Sequence, residues 1–545
     1  MKLRFLPVTP NALLIEAGDL DQTLALYDAL VARPVPGVGA IIPAARTILI
    51  RTVPGVAADG RLAARIMARR PAPGAAPAAP AGGVIELPLS YDGEDLDAVA
   101  ARLGLDRAGV IAAHQAVIWQ VAFCGFSPGF AYMICDDPRF DLPRRAVPRR
   151  QIPPGSVALA GRFCGIYPQA TPGGWQLIGR TEAPLWDLSR DPPALLRPGM
   201  GCRFVARGGK VYRAGPVPGP AGDHAAAAAG TPAPLSPCPP AQRDPQGAGG
   251  LQILSTAFAV LIQDEGRPGQ TGQGISGGGA LDIGALWRAN RAVGNPSDAP
   301  ALEITLGPLR LRALGPLVLA QSGAGRARLA GRELAVGAGF AMDAGDELEI
   351  PAPAAGMRSY LALRGGFEVA RVLGSASRDT LAAIGPAPLE AGAVLLPAHH
   401  RAGAVGVPVA EPALPAPGDL VRLKVTLGPR TGCFSAAEVE DFLTQEWMVT
   451  ADISRVGMRL EGPRPLLRAD GAELASEGVE TGAVQIPHSG QPVLFLADHP
   501  LTGGYPVIAV LHPDARDLAA QIPPGARIRF VASAPFAPIH PQENV

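Results

Sequence analysis

Apolar positions along this chain come in short runs, broken again and again by Gly or Pro. LRFLPV, at Leu3–Val8, and ARTILIRTV, at Ala45–Val53, read as strands. Between them Leu24, Tyr27, Leu30 and Val31 recur at helical spacing, with Asp19 and Asp21 able to cap the start and Pro34 and Pro36 ending it. Together these predict a small α/β unit over residues 1–80. Beyond Gly83 nearly every apolar run is short and bounded by turn residues, which predicts a β-rich barrel or sandwich. Asp95–Leu103 and Ala436–Trp447 are local helices within that pattern.

Three blocks repeat in order. GSVALAG, TPGGWQLIG and RPGMGCRFVA lie between Gly155 and Ala206, and GAVQIPH, LTGGYPVIAV and PPGARIRFVA lie between Gly482 and Ala532. Each set gives a small-residue strand, a Gly-Gly hinge into an aromatic strand, and a Pro-Gly turn into an Arg-Phe-Val strand. The repeat predicts the same β unit in both halves. The halves are separated by Ala214–Gly250, almost all Ala, Pro, Gly and small polar residues, which reads as a tether because it has too little apolar surface to offset its ordering entropy. A shorter run of the same kind begins at Arg69.

A length of 545 residues exceeds what one core supports and predicts three or four domains. Hydrophobic residues make up 48% and charged residues 18%, which suits a globular protein, and the formal net charge of zero supplies no global field for nucleic acid or an anionic membrane. The lysines are Lys2, Lys210 and Lys424, so any grip on phosphate or carboxylate falls to Arg and backbone N–H groups. The six cysteines are scattered without a C-x-x-C pair, which predicts neither a zinc site nor a disulfide scaffold. No signal-peptide run or membrane-length apolar stretch is present, and a cytoplasmic location is expected.

Several chemistries lack their motifs. There is no G-x-x-x-x-G-K-[ST] phosphate loop, no G-x-S-x-G elbow and no dinucleotide-binding G-x-G-x-x-G. Ser276 in ISGGGALD has no Lys nearby to activate it. Met1-Lys2, the one Met-Lys pair, is not in a biotin-carrier setting, so no covalent biotin is expected on this chain.

FCGFSPGFAYM, at Phe123–Met133, combines rings with Gly125, Pro128 and Gly129. Its glycines allow a ligand to approach the backbone, and Phe123, Phe126, Phe130 and Tyr132 are expected to floor a pocket, with barrel packing as the other reading. Arg144-Arg145 and Arg149-Arg150 form two pairs, of which one member each points inward in an extended chain; Arg149 is taken as a carboxylate or phosphate partner, against a solvated turn. Gln169 and Gln176 flank the first Gly-Gly hinge and are amides able to fix an amide ligand. Gln485, Thr502 and Tyr505 line the second. His114 ends a helix and titrates near neutrality unless packing claims it. Asp264, Arg267 and Asp282 are the charged candidates of a Gly-rich segment. Glu303 stands alone in an apolar strand, where an acid is either paired or functional. His114, Asp264, Arg267 and Glu303 are the catalytic candidates, and the others are binding candidates.

FCGFSPGFAYM, IPPGSVALAG and GIYPQATPGGWQLIGRT resemble the B-subunit family of 5-oxoprolinase, also called allophanate hydrolase subunit 1. VLIQDEGRPG, GGALD, NRAVGNPSDAPALEITLG, VLGSASRDT, SRVGMRLEGP and LTGGYPVIA resemble the C-subunit family, allophanate hydrolase subunit 2. The resemblance implies a mainly β chain with α/β additions. It places one cyclophilin-like barrel at 84–213, and two more at 251–415 and 416–540, behind the small α/β domain. It implies an ATP-dependent 5-oxoprolinase component, with Mg as the nucleotide's counter-ion. The partner it implies is a separate 5-oxoprolinase A subunit of the LamB/YcsF type. The alternatives it carries are a biotin-dependent carboxyltransferase of the urea carboxylase type and a regulator of a sensor histidine kinase. Two departures bear on the substrate: Val507 stands where many C-subunit relatives have Lys, and ISGGGALD is richer in small residues than its counterparts.

Overall fold

The computed structural model describes residues 2–72, 83–206, 249–469 and 474–542. The tether Ala214–Gly250 therefore falls almost entirely outside the described residues, and the run that begins at Arg69 does so from residue 73 to residue 82. Strand makes up 34% and helix 15%, as the short apolar runs predict.

The first unit is a four-stranded antiparallel sheet of Arg4–Thr9, Ala12–Glu16, Thr47–Thr52 and Val38–Pro43, in that spatial order. Asp19 caps the helix Leu20–Ala32 by accepting from the Gln22 amide. The helix departs from the predicted single face, because Val31 is 50% exposed while Leu26 is fully buried. The reason is that two surfaces meet it: Leu26 and Leu30 pack into the core of their own unit, and Leu20 and Leu24 pack against the rings of the next one.

The next unit is a seven-stranded sheet in the spatial order Gln176–Arg180, Ser156–Ala160, Phe163–Ile166, Ala131–Ile134, Trp119–Cys124, Gly201–Ala206 and Val84–Leu89. A bridge between Ser90 and Arg180 nearly closes it into a barrel. The last unit is a closed barrel, in which Leu420–Leu427 plays the part of Val84–Leu89 and Arg527–Ala532 that of Gly201–Ala206. In both, these two strands pair in parallel, and the strand after the Gly-Gly hinge pairs antiparallel with the small-residue strand, Gln176–Arg180 with Ser156–Ala160 and Val507–Leu511 with Ala483–Gln485. In both, a Trp indole donates to the backbone carbonyl five residues earlier, Trp119 to His114 at 3.3 Å and Trp447 to Phe442 at 3.0 Å. The repeat therefore describes two copies of one topology.

Between them lies a unit of two sheets, of six and five strands, packed over a shared core of Ile253, Leu311, Ile262, Leu302 and Leu361. The first unit does not pack on its sequence neighbour alone. Leu6, Leu14 and Leu49 share a cluster with Val479 and Val510 of the last barrel, and Arg430 donates to Glu16 at 2.6 Å.

Candidate functional site

The two Gly-Gly hinges, one from each half, face a single cavity of about 460 Å³. Gly173, Gly174 and Trp175 line it from the first barrel, and Thr502, Gly503, Gly504 and Tyr505 line it from the last. Phe126, Phe130, Tyr132 and Tyr167 form the floor, and Arg144, Arg145 and Arg468 stand among the lining. No carboxylate of the described residues lines this cavity.

The loop Phe123–Met133 builds the junction as well as the floor. Phe126 has a left-handed backbone, φ 64°, an uncommon conformation for a large side chain, and its amide donates to Thr502 Oγ1 at 3.0 Å. A Cβ on Gly125 would lie 2.4 Å from that same oxygen. Gly125 is thus needed because the far barrel, 376 residues away in sequence from Phe126, sits against it. Gly129, at φ +74°, gives its amide to Gln273 of the middle unit at 3.1 Å. Phe123 lies behind the floor, fully buried and stacked on Tyr132 with ring centres 4.4 Å apart. Burial raises the Tyr132 phenol, against the pull of its hydrogen bonds to Ser476 and Thr502.

Of the remaining hinge candidates, Gln485 lines the cavity and donates to the Tyr505 carbonyl at 3.2 Å. Gln176 lies beside the cavity, bonded to the Pro143 carbonyl at 3.2 Å. Gln169 reaches the middle unit, to the Leu381 carbonyl at 3.3 Å. Arg149 is engaged away from the cavity, with two bonds of 2.9 Å to Asp95 and one of 2.9 Å to Glu94. Burial alone would raise Asp95, but bonds from Arg149 and the Leu177 amide hold it below the usual carboxylate range. The members of the two pairs that line the cavity are Arg144 and Arg145, and Arg145 also donates to Asp95 behind the wall. His114 is fully buried in the first barrel, 2.9 Å from the Tyr91 hydroxyl, and burial pushes it down to about 3.

Asp264, Arg267, Asp282 and Glu303 come together elsewhere, in a buried network between the middle unit and the last barrel. Arg455 is its hub. It donates to Glu303 at 2.5 Å, to Asp498 at 2.9 and 3.0 Å, and to the Gly279 carbonyl. Glu303 also accepts from Tyr360 at 2.6 Å and from the Leu281 amide at 3.0 Å. Burial would raise Glu303, but Arg455 and Arg358 outweigh it and hold it down. Asp264 accepts from Ser375 and Ser377 at 2.5 Å each. Asp282 caps the helix Ile283–Ala292 and is raised to about 6 by burial. Asp379 is also raised to about 6, by burial and by the neighbouring Asp498 charge. Arg267 is bonded to the Ser377 carbonyl, while its Nε and Nη1 have no hydrogen-bond partner among the described residues.

Sequence alone does not single out Arg358, Asp379, Arg455 and Asp498. A signal for two of them is present in SRVGMRLEGP and VLGSASRDT, where Arg455 and Asp379 sit among small residues. The network holds the segment Gly277–Gly279, of which Gly277 and Gly278 line a second cavity of about 580 Å³. Phe495 lines both cavities.

Residues 3–196 match the family model described as carboxyltransferase domain, subdomain C and D, and residues 273–532 match that for subdomain A and B. The C subunit of Escherichia coli K12 5-oxoprolinase is 39% identical over 288 residues, 52% of this chain and 90% of that protein. The B subunit of Escherichia coli O157:H7 5-oxoprolinase is 46% identical over 129 residues, 23% of this chain and 59% of that protein. Urea amidolyase of Lachancea kluyveri is 30% identical over 306 residues, 52% of this chain and 17% of that larger protein. The crystal structure of TTHA0988 superposes with a TM-score of 0.78 at 34% identity, covering 95% of this chain and 99% of that one. The chain belongs to the carboxyltransferase-domain family, and joins in one polypeptide the regions that resemble the B and C subunits of 5-oxoprolinase.

Proposed function

We propose that this protein is the joined B and C component of an ATP-dependent 5-oxoprolinase, working with a separate A subunit of the LamB/YcsF type. One observation carries the reading. The cavity with the aromatic floor and the arginines exists only where the two halves meet, so neither half holds the site alone. That accounts for relatives named as separate subunits, and for their fusion here.

Opening a lactam against its resonance needs a leaving group. In this reading the lactam oxygen attacks the γ-phosphorus of ATP; the new O–P bond forms as the bond to ADP breaks. Water then adds to the activated carbon, and the C–N bond breaks with the proton going to nitrogen. A second water releases phosphate from the resulting acyl phosphate, leaving glutamate. Arg144, Arg145 and Arg468 supply the charge such a phosphoryl group needs, the rings exclude bulk water, and Gln485 and Thr502 offer amide and hydroxyl partners to a lactam. Magnesium enters this reading as the nucleotide's counter-ion; among the described residues no group of three or more His, Cys, Asp or Glu is placed to hold a metal ion.

The test is ATP hydrolysis by the purified chain, with and without 5-oxoproline and its candidate LamB/YcsF-type partner. ADP and glutamate that appear only with all components support the reading, and no ADP in any combination sinks it. The family-model descriptions and the urea amidolyase similarity favour a second reading, transfer of a carboxyl group from carboxybiotin on a separate carrier to urea or a related amide. Consumption of carboxybiotin on adding urea would select it.

A further inference from the structure

We infer that the inter-barrel cavity is the nucleotide site: a nucleoside triphosphate lies across both halves, its base against Tyr505 and its phosphates along the arginines. The inference rests on the ATP-dependent reading above and says which reactant this cavity holds. Among the described residues, and of five cavities between about 390 and 660 Å³, this one alone combines three guanidinium groups, several rings and no carboxylate in its lining. The largest has Asp298 and Glu368 in its lining, and the cavity beside Gly277 has Glu480, Asp514 and Asp517. A polyanion is repelled by carboxylates that face it and attracted by a wall of guanidiniums.

Shape and ring geometry agree with this assignment. A volume of about 460 Å³ falls in the range that takes a nucleotide-sized ligand, whereas a single five-membered lactam would leave most of it to water. The floor rings are committed to one another edge to face: Phe130 meets Tyr132, Tyr167 and Trp175 with centres 5.0, 5.2 and 5.6 Å apart. Tyr505 differs. It is 41% exposed at the mouth, and the His488 ring stands perpendicular to it at 5.5 Å, which leaves a face open to a flat base. Arg144 and Arg145 lie across the cavity on the first barrel. A ligand that stacks on one barrel and pairs its phosphates with the other therefore has to touch both halves.

The experiment is photolabelling of the full chain with 8-azido-ATP, followed by peptide mapping, alongside equilibrium binding of ATP to the same preparation. The expected label falls on peptides that contain Tyr505 or Phe126, and excess ATP removes it. Tyr505→Ala weakens ATP binding about tenfold, the loss of one base-ring stack, and Arg144→Ala weakens it by a similar factor. Trp287→Ala, in the lining of the second cavity, leaves the affinity unchanged. Label on the peptides around Asn295 or Arg401, with full affinity in the Tyr505 variant, overturns the assignment and leaves the proposed function standing. Absence of ATP binding both to the chain and to its complex with the LamB/YcsF-type partner overturns both.

Discussion

Gly125 shows how one atom is constrained from across the molecule. Read locally, its lack of a side chain suggests room for a ligand; in the fold, that room is filled by Thr502. Gly125→Ala forces a Cβ to within 2.4 Å of Thr502 Oγ1, and the far barrel must shift. Overpacking of this kind costs about 1–3 kcal/mol. The expected outcome is a lower melting temperature and a large loss of turnover, with the melting temperature largely restored by adding Thr502→Gly. A single variant with unchanged stability would show that the junction is not tight. Gly129→Val is a poorer probe, since its positive φ and the Leu185 carbonyl 3.1 Å from a Cβ would cost stability together with activity. The buried acids make a second prediction at this scale. Asp379 has its folded pKa raised to about 6, above the value of about 3.9 in an unfolded chain, so the folded state binds the extra proton between them. Its contribution to stability is present at low pH and is lost as pH rises through about 6. Asp379→Asn removes the like charge beside Asp498, so melting temperature followed from pH 4 to 8 should fall less steeply in the variant; an unaltered slope would assign the titration elsewhere.

Elements whose partners are local are legible in the sequence. The Asp19-capped helix, the strand Thr47–Thr52 and the repeated hinge strands follow from apolar spacing and turn residues, because a run of a few residues and its cap specify them. Elements whose environment comes from far along the chain are not. Spacing places Val31 on a buried face because it cannot show that the helix is gripped by two units. Arg149 reads as a ligand partner because nothing local reveals Asp95, 54 residues earlier. The clustering of Asp264, Arg267 and Glu303 is invisible for the same reason, since its hub sits 152 residues beyond Glu303. That hub positions the Gly-rich segment. Arg455→Met leaves Glu303 and Asp498 buried without the guanidinium that bonds them both, at a cost of about 3–5 kcal/mol. Chemical denaturation should show that loss. Arg455→Lys should recover little of it, because one ammonium cannot reach two carboxylates and the Gly279 carbonyl in the fork geometry that guanidinium provides. Recovery by Lys would mean that charge alone, without the fork, holds the segment.

At the scale of the molecule the chain is folded back on itself. The first sheet packs on the last barrel through Leu6, Leu14 and Leu49, and Arg430 holds Glu16 and Glu477 while Arg51 holds Glu480 at 2.5 Å. Phe5 bridges to Ile539 near the other end. These contacts do not run through the tether, so covalent continuity between Ala214 and Gly250 is not what keeps the halves together. Residues 1–213 and 251–545, expressed as two chains, should copurify as a one-to-one complex and, on the proposed nucleotide assignment, bind ATP with the affinity of the intact chain, because the contacts that form the cavity survive the cut. The interface is apolar at its centre and its ion pairs are largely buried, so raising salt should weaken assembly only modestly, because buried pairs are little screened and the apolar contacts persist. Two pieces that remain separate at micromolar concentration, each folded, would mean that the tether supplies the effective concentration on which the site depends. In that case lengthening it within the intact chain should lower nucleotide affinity, whereas a self-sufficient interface predicts no change.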